Sequence, residues 1–88
     1  MLTYNINVTG LVQGVNFRAY IYSKAKYLNI KGYVKNLSDG SVEIRAQGDE
    51  DSIQKLIEHA KVGPPMARVS NIKIKKEDHE KFHDFEIK

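Results

Sequence analysis

The 88-residue sequence predicts an α+β fold in which an antiparallel sheet is covered on one face by two helices, with a short extra strand at the C-terminal end. Three observations carry this. Residues 2–8 alternate apolar and polar side chains, the pattern of a strand half buried against a core. Residues 17–28 and 49–63 repeat apolar side chains every three or four positions instead, as helices with one buried face do. Two strand-like runs joined by a turn separate the helical stretches, and two more follow the second.

In chain order, Leu2, Tyr4, Ile6 and Val8 fall on one side of the first strand and Thr3, Asn5 and Asn7 on the other. Gly10 and Gly14 mark a bend. Phe17, Ile21, Ala25 and Leu28 then recur at helical spacing, and Asn29 suits a left-handed stop. The run 30–37 reads as a second strand and 41–47 as a third, with Val42, Ile44 and Ala46 inward. Ser38-Asp39-Gly40 supplies the hairpin turn between them. In the second helix Asp49 caps, Glu50 and Asp51 complement the dipole, Lys61 sits in the last turn and Gly63 ends it. Its buried stripe is Ile53, Leu56, Ile57 and Ala60. Pro64 to Arg68 reads as a stiff linker of polyproline character. Residues 69–76 form a fourth strand with Ile72 and Ile74 inward and Lys73 and Lys75 outward, and 81–88 a fifth with Phe85 and Ile87 on one face. This order is the ferredoxin-like split β-α-β-β-α-β sandwich.

Composition sets the bounds. The length is that of one domain, expected over residues 1–88, and such a chain buries roughly 60–65% of its unfolded surface. Hydrophobic residues at 41% and charged residues at 28% describe an ordinary globular surface and core. There is no cysteine, hence neither a disulfide nor a thiolate nucleophile. The start has no secretion-signal pattern and no apolar run approaches the roughly 18–20 residues of a membrane span, so the expected location is cytoplasmic. The net charge of +3 favours an anionic ligand without marking a nucleic-acid binder.

The chemistry concentrates in GLVQGVNFR, Gly10 to Arg18. Amides from Gly14 to Arg18 lie in a loop and the opening of a helix, where several lack intrahelical acceptors and share the positive end of the helix dipole. Arg18 offers a planar fork of donors suited to two oxygens of a phosphoryl group. The dinucleotide pattern and the Walker loop are both excluded, since Gly14 is followed by Val15 and Asn16. Read locally, the same stretch also fits a plain strand-to-helix turn with a surface arginine. Asn36, near the end of the second strand, is a neutral amide able to orient a water without acting as a strong base. It equally suits the opening of the turn before Asp39 and Gly40.

GLVQGVNFR and GYVKNLSDGSV together resemble the two signatures of the acylphosphatase family. The first matches G-x-V-Q-G-V-x-F-R at every fixed position: Gly10, Val12, Gln13, Gly14, Val15, Phe17 and Arg18. The second supplies Gly32, Tyr33, Lys35, Asn36, Gly40 and Val42 in the family's spacing, and GPPMARV resembles its segment before the fourth strand. The resemblance runs along essentially the whole chain. It implies metal-independent hydrolysis of the carboxyl-phosphate bond of acyl phosphates, of the acetyl phosphate, carbamoyl phosphate or 1,3-bisphosphoglycerate type, with no cofactor. It implies that Arg18 and Asn36 are catalytic, that the backbone of Gln13, Gly14, Val15, Asn16, Phe17 and Arg18 cradles the phosphate, and that Asn36 directs the attacking water. The partners are then a small-molecule acyl phosphate and inorganic phosphate, with no metal, nucleic acid or membrane.

Elementary chemistry agrees. A carboxylate leaving group scarcely needs protonation, and a loose phosphoryl transition state is stabilised mainly by positioning and electrostatics. Three alternatives are weaker. KGYVKN, Lys31 to Asn36, starts like an RNA-stacking motif, but Val34 and Lys35 stand where small and aromatic residues belong, and on the second strand rather than the third. A domain of a larger carbamoyl-transferring maturation factor would share both signatures; the chain length and missing zinc-binding cysteines argue against it. A non-catalytic anion binder is the third. His79 and His83 read as a solvent-exposed pair, His59 as solvent-facing, Asp49 to Asp51 as helix capping, and Tyr20, Tyr22 and Tyr27 as scattered surface aromatics. Lys35, Lys73 and Lys75 on exposed edge strands suggest a monomer.

Overall fold

A computed structural model describes residues 2–77 and 81–88. Its strands are β1 (Leu2–Leu11), β2 (Lys31–Asn36), β3 (Val42–Gly48), β4 (Arg68–Glu77) and β5 (Phe85–Ile87); α1 (Phe17–Tyr27) and α2 (Glu50–Val62) complete the chain. The sheet order is β4-β1-β3-β2-β5. Ile6 stands between Ile44 on β3 and Ile74 on β4, and Val8 between Val42 and Ile72. That register puts the apolar half of β1 on the helix side, where Phe17, Ile21, Ala25, Ile53, Leu56, Ile57 and Ala60 close one core with it. The other sheet face carries polar cross-strand pairs: Gln47 Nε2 donates to Thr3 Oγ1 at 2.8 Å and Asn5 Nδ2 to Glu43 Oε2 at 3.1 Å.

The expected punctuation is present. Asp49 accepts from the Ser52 amide at 2.9 Å, and this bond holds its carboxyl below the usual carboxylate range. Asn29 takes φ 60°, ending α1 two residues after its last turn.

Several expectations change. The sheet is not wholly antiparallel, because β5 pairs parallel with β2, and that pairing makes β2, which carries Lys35, an interior strand and not an edge. The chain leaves β4 at one edge and crosses to the other, so the strand it lays beside β2 runs the same way as β2. Ile74 faces the helix layer but is 45% exposed, since β4 is the edge strand at the margin of that layer. Pro64 to Ala67 is a turn closed by the Ala67 amide on the Pro64 carbonyl at 3.0 Å, not an extended polyproline run. His59 is half-buried, edge-on to Tyr20 at 6.3 Å between ring centroids. His83 is exposed, and His79 lies outside the described residues.

β1 also runs further than its alternation, through Gly10 to Leu11, past a register shift between Thr9 and Gly10. Gly10 therefore lies in the sheet rather than in the bend. At φ +128° a Cβ on it would stand 2.2 Å from the Arg68 carbonyl oxygen and 2.7 Å from the Ser70 nitrogen, all backbone that has no room to yield. Gly10→Ala is expected to destabilise the fold by about 3 kcal/mol or more, read as a lowered urea midpoint at unchanged slope.

Candidate functional site

The end of β1, the start of α1 and the end of β2 meet around a hollow of about 190 Å³. Val12, the first residue past β1, is buried and anchors the loop below. Gly14 and Asn16 both take left-handed backbone, at φ 75° and 68°. No atom lies within 4 Å of where a Gly14 Cβ would stand, so the glycine serves its backbone angle and leaves the neighbouring amides uncovered. Phe17, 1% exposed, then locks the helix start into the core.

The helix begins without a side-chain cap. Asn16 occupies the N-cap position in left-handed conformation, and the first helical bond runs from the Tyr20 amide to the Asn16 carbonyl at 3.1 Å. Amides 17–19 thus have no acceptor within the helix, and no carboxylate occupies the first turn to neutralise its positive end. A capped helix would have satisfied these donors with its own side chain. Here no side chain does so.

Arg18 projects to the same hollow. Its Nη1 donates to the Lys88 carbonyl oxygen at 2.8 Å, while the Lys88 amide donates to the Val34 carbonyl at 2.8 Å. The end of β5 thus steadies one corner of the guanidinium, and the fork's other donors are available to a planar oxyanion. Asn36 closes the hollow from the end of β2. Its Oδ1 is buried with no donor among the described groups.

Gly14, Asn16, Phe17 and Arg18 all line the hollow, with Asn36 opposite them in sequence but beside them in space. Gln13 and Val15 do not. Val15 packs against the core, and the Gln13 side chain turns away to bond the β2–β3 turn, donating to Leu37 O at 2.7 Å and Ser41 O at 2.9 Å. Ala19 and Ile87 line the hollow without having been singled out in the sequence. Ile87 arrives there because β5 pairs with β2 in the register Val34↔Ile87, and strand alternation alone does not say which neighbour a terminal strand will choose. Among the described residues there is no cluster of three or more metal-ligating side chains.

Fold and hollow together define a class: a ferredoxin-like α+β sandwich with donor groups gathered at the uncapped start of its first helix. Comparison with known proteins narrows it. Residues 4–87 match the family model described as Acylphosphatase. An acylphosphatase of Thermotoga petrophila is 43% identical over 88 residues, covering 100% of this chain and 98% of the relative. The crystal structure of acylphosphatase from Bacillus subtilis superposes with a TM-score of 0.96 at 41% identity, covering 99% of this chain and 98% of that one. The crystal structure of T. kodakarensis HypF matches with a TM-score of 0.88 at 41% identity, covering all of this chain and 12% of that much longer one. The chain belongs to the acylphosphatase family, a family of hydrolases.

Proposed function

We propose that this chain hydrolyses the carboxyl-phosphate bond of small acyl phosphates, of the acetyl, carbamoyl or 1,3-bisphosphoglycerate type, and does so without a metal. One observation supports this above the others: a guanidinium, a set of unpaired amides and an uncharged carboxamide line the same hollow although they come from opposite ends of the split βαβ unit.

Phosphate oxygens would take donors from the loop amides of residues 14–18 and from the Arg18 fork. These are charge-assisted bonds of about 1.5–3 kcal/mol each, and they tighten as charge spreads over the oxygens in a loose transition state. Asn36 would accept a hydrogen from a water and hold its oxygen towards phosphorus. The water oxygen bonds to phosphorus, the bridging P–O bond breaks to release carboxylate, and the water's proton passes to a phosphoryl oxygen. A carboxylate departs without needing a general acid, which is why the arrangement works with no histidine, cysteine or carboxylate pair.

The same reading has residues 1–88 acting as one domain, in the cytoplasm, as a monomer, with Lys73 and Lys75 on the exposed edge strand opposing edge-to-edge pairing. No helix among the described residues is long and apolar enough to cross a membrane. The test is phosphate release from acetyl phosphate and benzoyl phosphate in the presence of EDTA. Turnover of both, undiminished by the chelator, is the expected result; inactivity on both sinks the function, and activity that needs added metal sinks the mechanism.

A further inference from the structure

We infer that Gln13 is a positioning residue, whose side chain fixes the distance between the phosphate loop and the carboxamide of Asn36. This rests on the acyl phosphate reading. Gln13 Nε2 donates to the carbonyls of Leu37 at 2.7 Å and Ser41 at 2.9 Å, so one amide group uses both its hydrogens on the two ends of a single turn. Those ends are themselves joined, the Leu37 amide donating to Ser41 O at 2.8 Å. Leu37 directly follows Asn36, and Gln13 directly precedes Gly14 at the floor of the hollow. The link therefore spans from one side of the site to the other, and it is one residue away from the site at each end.

The other side-chain bonds of this turn lead elsewhere. Asp39 Oδ1 accepts from the Ser41 amide at 2.9 Å and from Ser41 Oγ at 2.6 Å, and Ser41 Oγ accepts from Asn7 Nδ2 on β1 at 3.0 Å. They stiffen the turn and fasten it to the polar face of the sheet, but they do not reach the loop. The turn is thus held at two separate points, by Asn7 to the sheet and by Gln13 to the phosphate loop. The strand ladder sets Asn36 opposite Val42, and the second point ties the residue after it to the phosphate loop; an error of about 1 Å in that placement costs up to about a hundredfold in rate.

Three replacements separate donation from bulk. Gln13→Glu keeps the shape but sets a carboxylate against two carbonyl oxygens. Gln13→Met keeps the reach without a donor, and Gln13→Lys keeps the reach with N–H donors restored. Turnover of acetyl phosphate at saturation is expected to fall about tenfold in the Met variant and about thirtyfold in the Glu variant, and to return to within about threefold of the parent in the Lys variant. The competitive inhibition constant of orthophosphate should move by less than about threefold in the uncharged Met variant, because the amides and Arg18 still hold the anion. Asn7→Ala, which loosens the same turn from the sheet side, serves as the stability-matched control; its urea midpoint should drop while kcat stays within about twofold of the parent.

An unaltered kcat in Gln13→Met, a parallel loss of kcat and orthophosphate inhibition in that variant, or an equal kcat loss in Asn7→Ala overturns the positioning role while leaving the proposed function standing. A parent inactive on acetyl and benzoyl phosphate overturns the function and this inference with it.

Discussion

Arg18→Ala is expected to lower kcat/KM for acetyl phosphate by about a thousandfold and to abolish competitive inhibition by orthophosphate at concentrations that inhibit the parent. The guanidinium is a full positive charge at the rim of the hollow, and its fork can meet two oxygens at once. The loop amides carry only partial charges, so removing the arginine takes the largest single attraction from both bound substrate and transition state. Arg18→Lys separates charge from geometry. An ammonium keeps the charge but cannot span two oxygens while also bonding the Lys88 carbonyl as Nη1 does. Its expected loss is about tenfold to a hundredfold. The fold should survive either change, since Arg18 is half-buried and gives up one hydrogen bond, worth about 1 kcal/mol. Steady-state rates with both substrates, together with a urea titration, check this. An alanine variant as active as the parent would remove Arg18 from the site.

The sequence made the fold readable where one side of an element is buried and the other wet. β1, β3 and α2 show this: slipping β1 by one residue would move Ile6 and Val8 out of the core, so their alternation leaves a single register open. The reading fails where a residue's role depends on something distant in the chain. Gly10 reads as a loop glycine, yet it is there because the Arg68 carbonyl crosses its Cα, and Arg68 lies on a strand far along the chain. Phe85 and Ile87 read as one face of a strand, but what carries Ile87 to the hollow is a parallel pairing with β2, a strand far back in the chain. Gln13 belongs to the loop motif by position, whereas its side chain serves the turn at Leu37 and Ser41. The meeting of Arg18 and Asn36 at one hollow follows from the strand order β3-β2-β5 beneath α1, which local pattern does not encode.

Asn36→Ala should show a dissociation that a purely structural residue cannot produce. The Asn36 backbone is held in β2 opposite Val42 on β3, so the strand does not depend on its side chain. Its Oδ1 accepts from no described protein group, so the fold draws no side-chain hydrogen bond from it. Truncation breaks no protein hydrogen bond to that atom, so the urea midpoint is expected to hold within the equivalent of about 1 kcal/mol. Turnover should not hold, with kcat for acetyl phosphate falling about a hundredfold or more because nothing then holds a water in line with phosphorus. Orthophosphate inhibition should stay within about threefold of the parent, since its binding groups are on the loop and α1. Asn36→Asp sharpens the test: it keeps the shape but adds a negative charge beside the bound anion, so it should weaken orthophosphate inhibition as well as slow turnover. If Asn36→Ala unfolds more easily and keeps its kcat, the side chain only opens the turn before Asp39 and Gly40. A stable, phosphate-binding, inactive variant instead leaves Oδ1 as a group that serves the water.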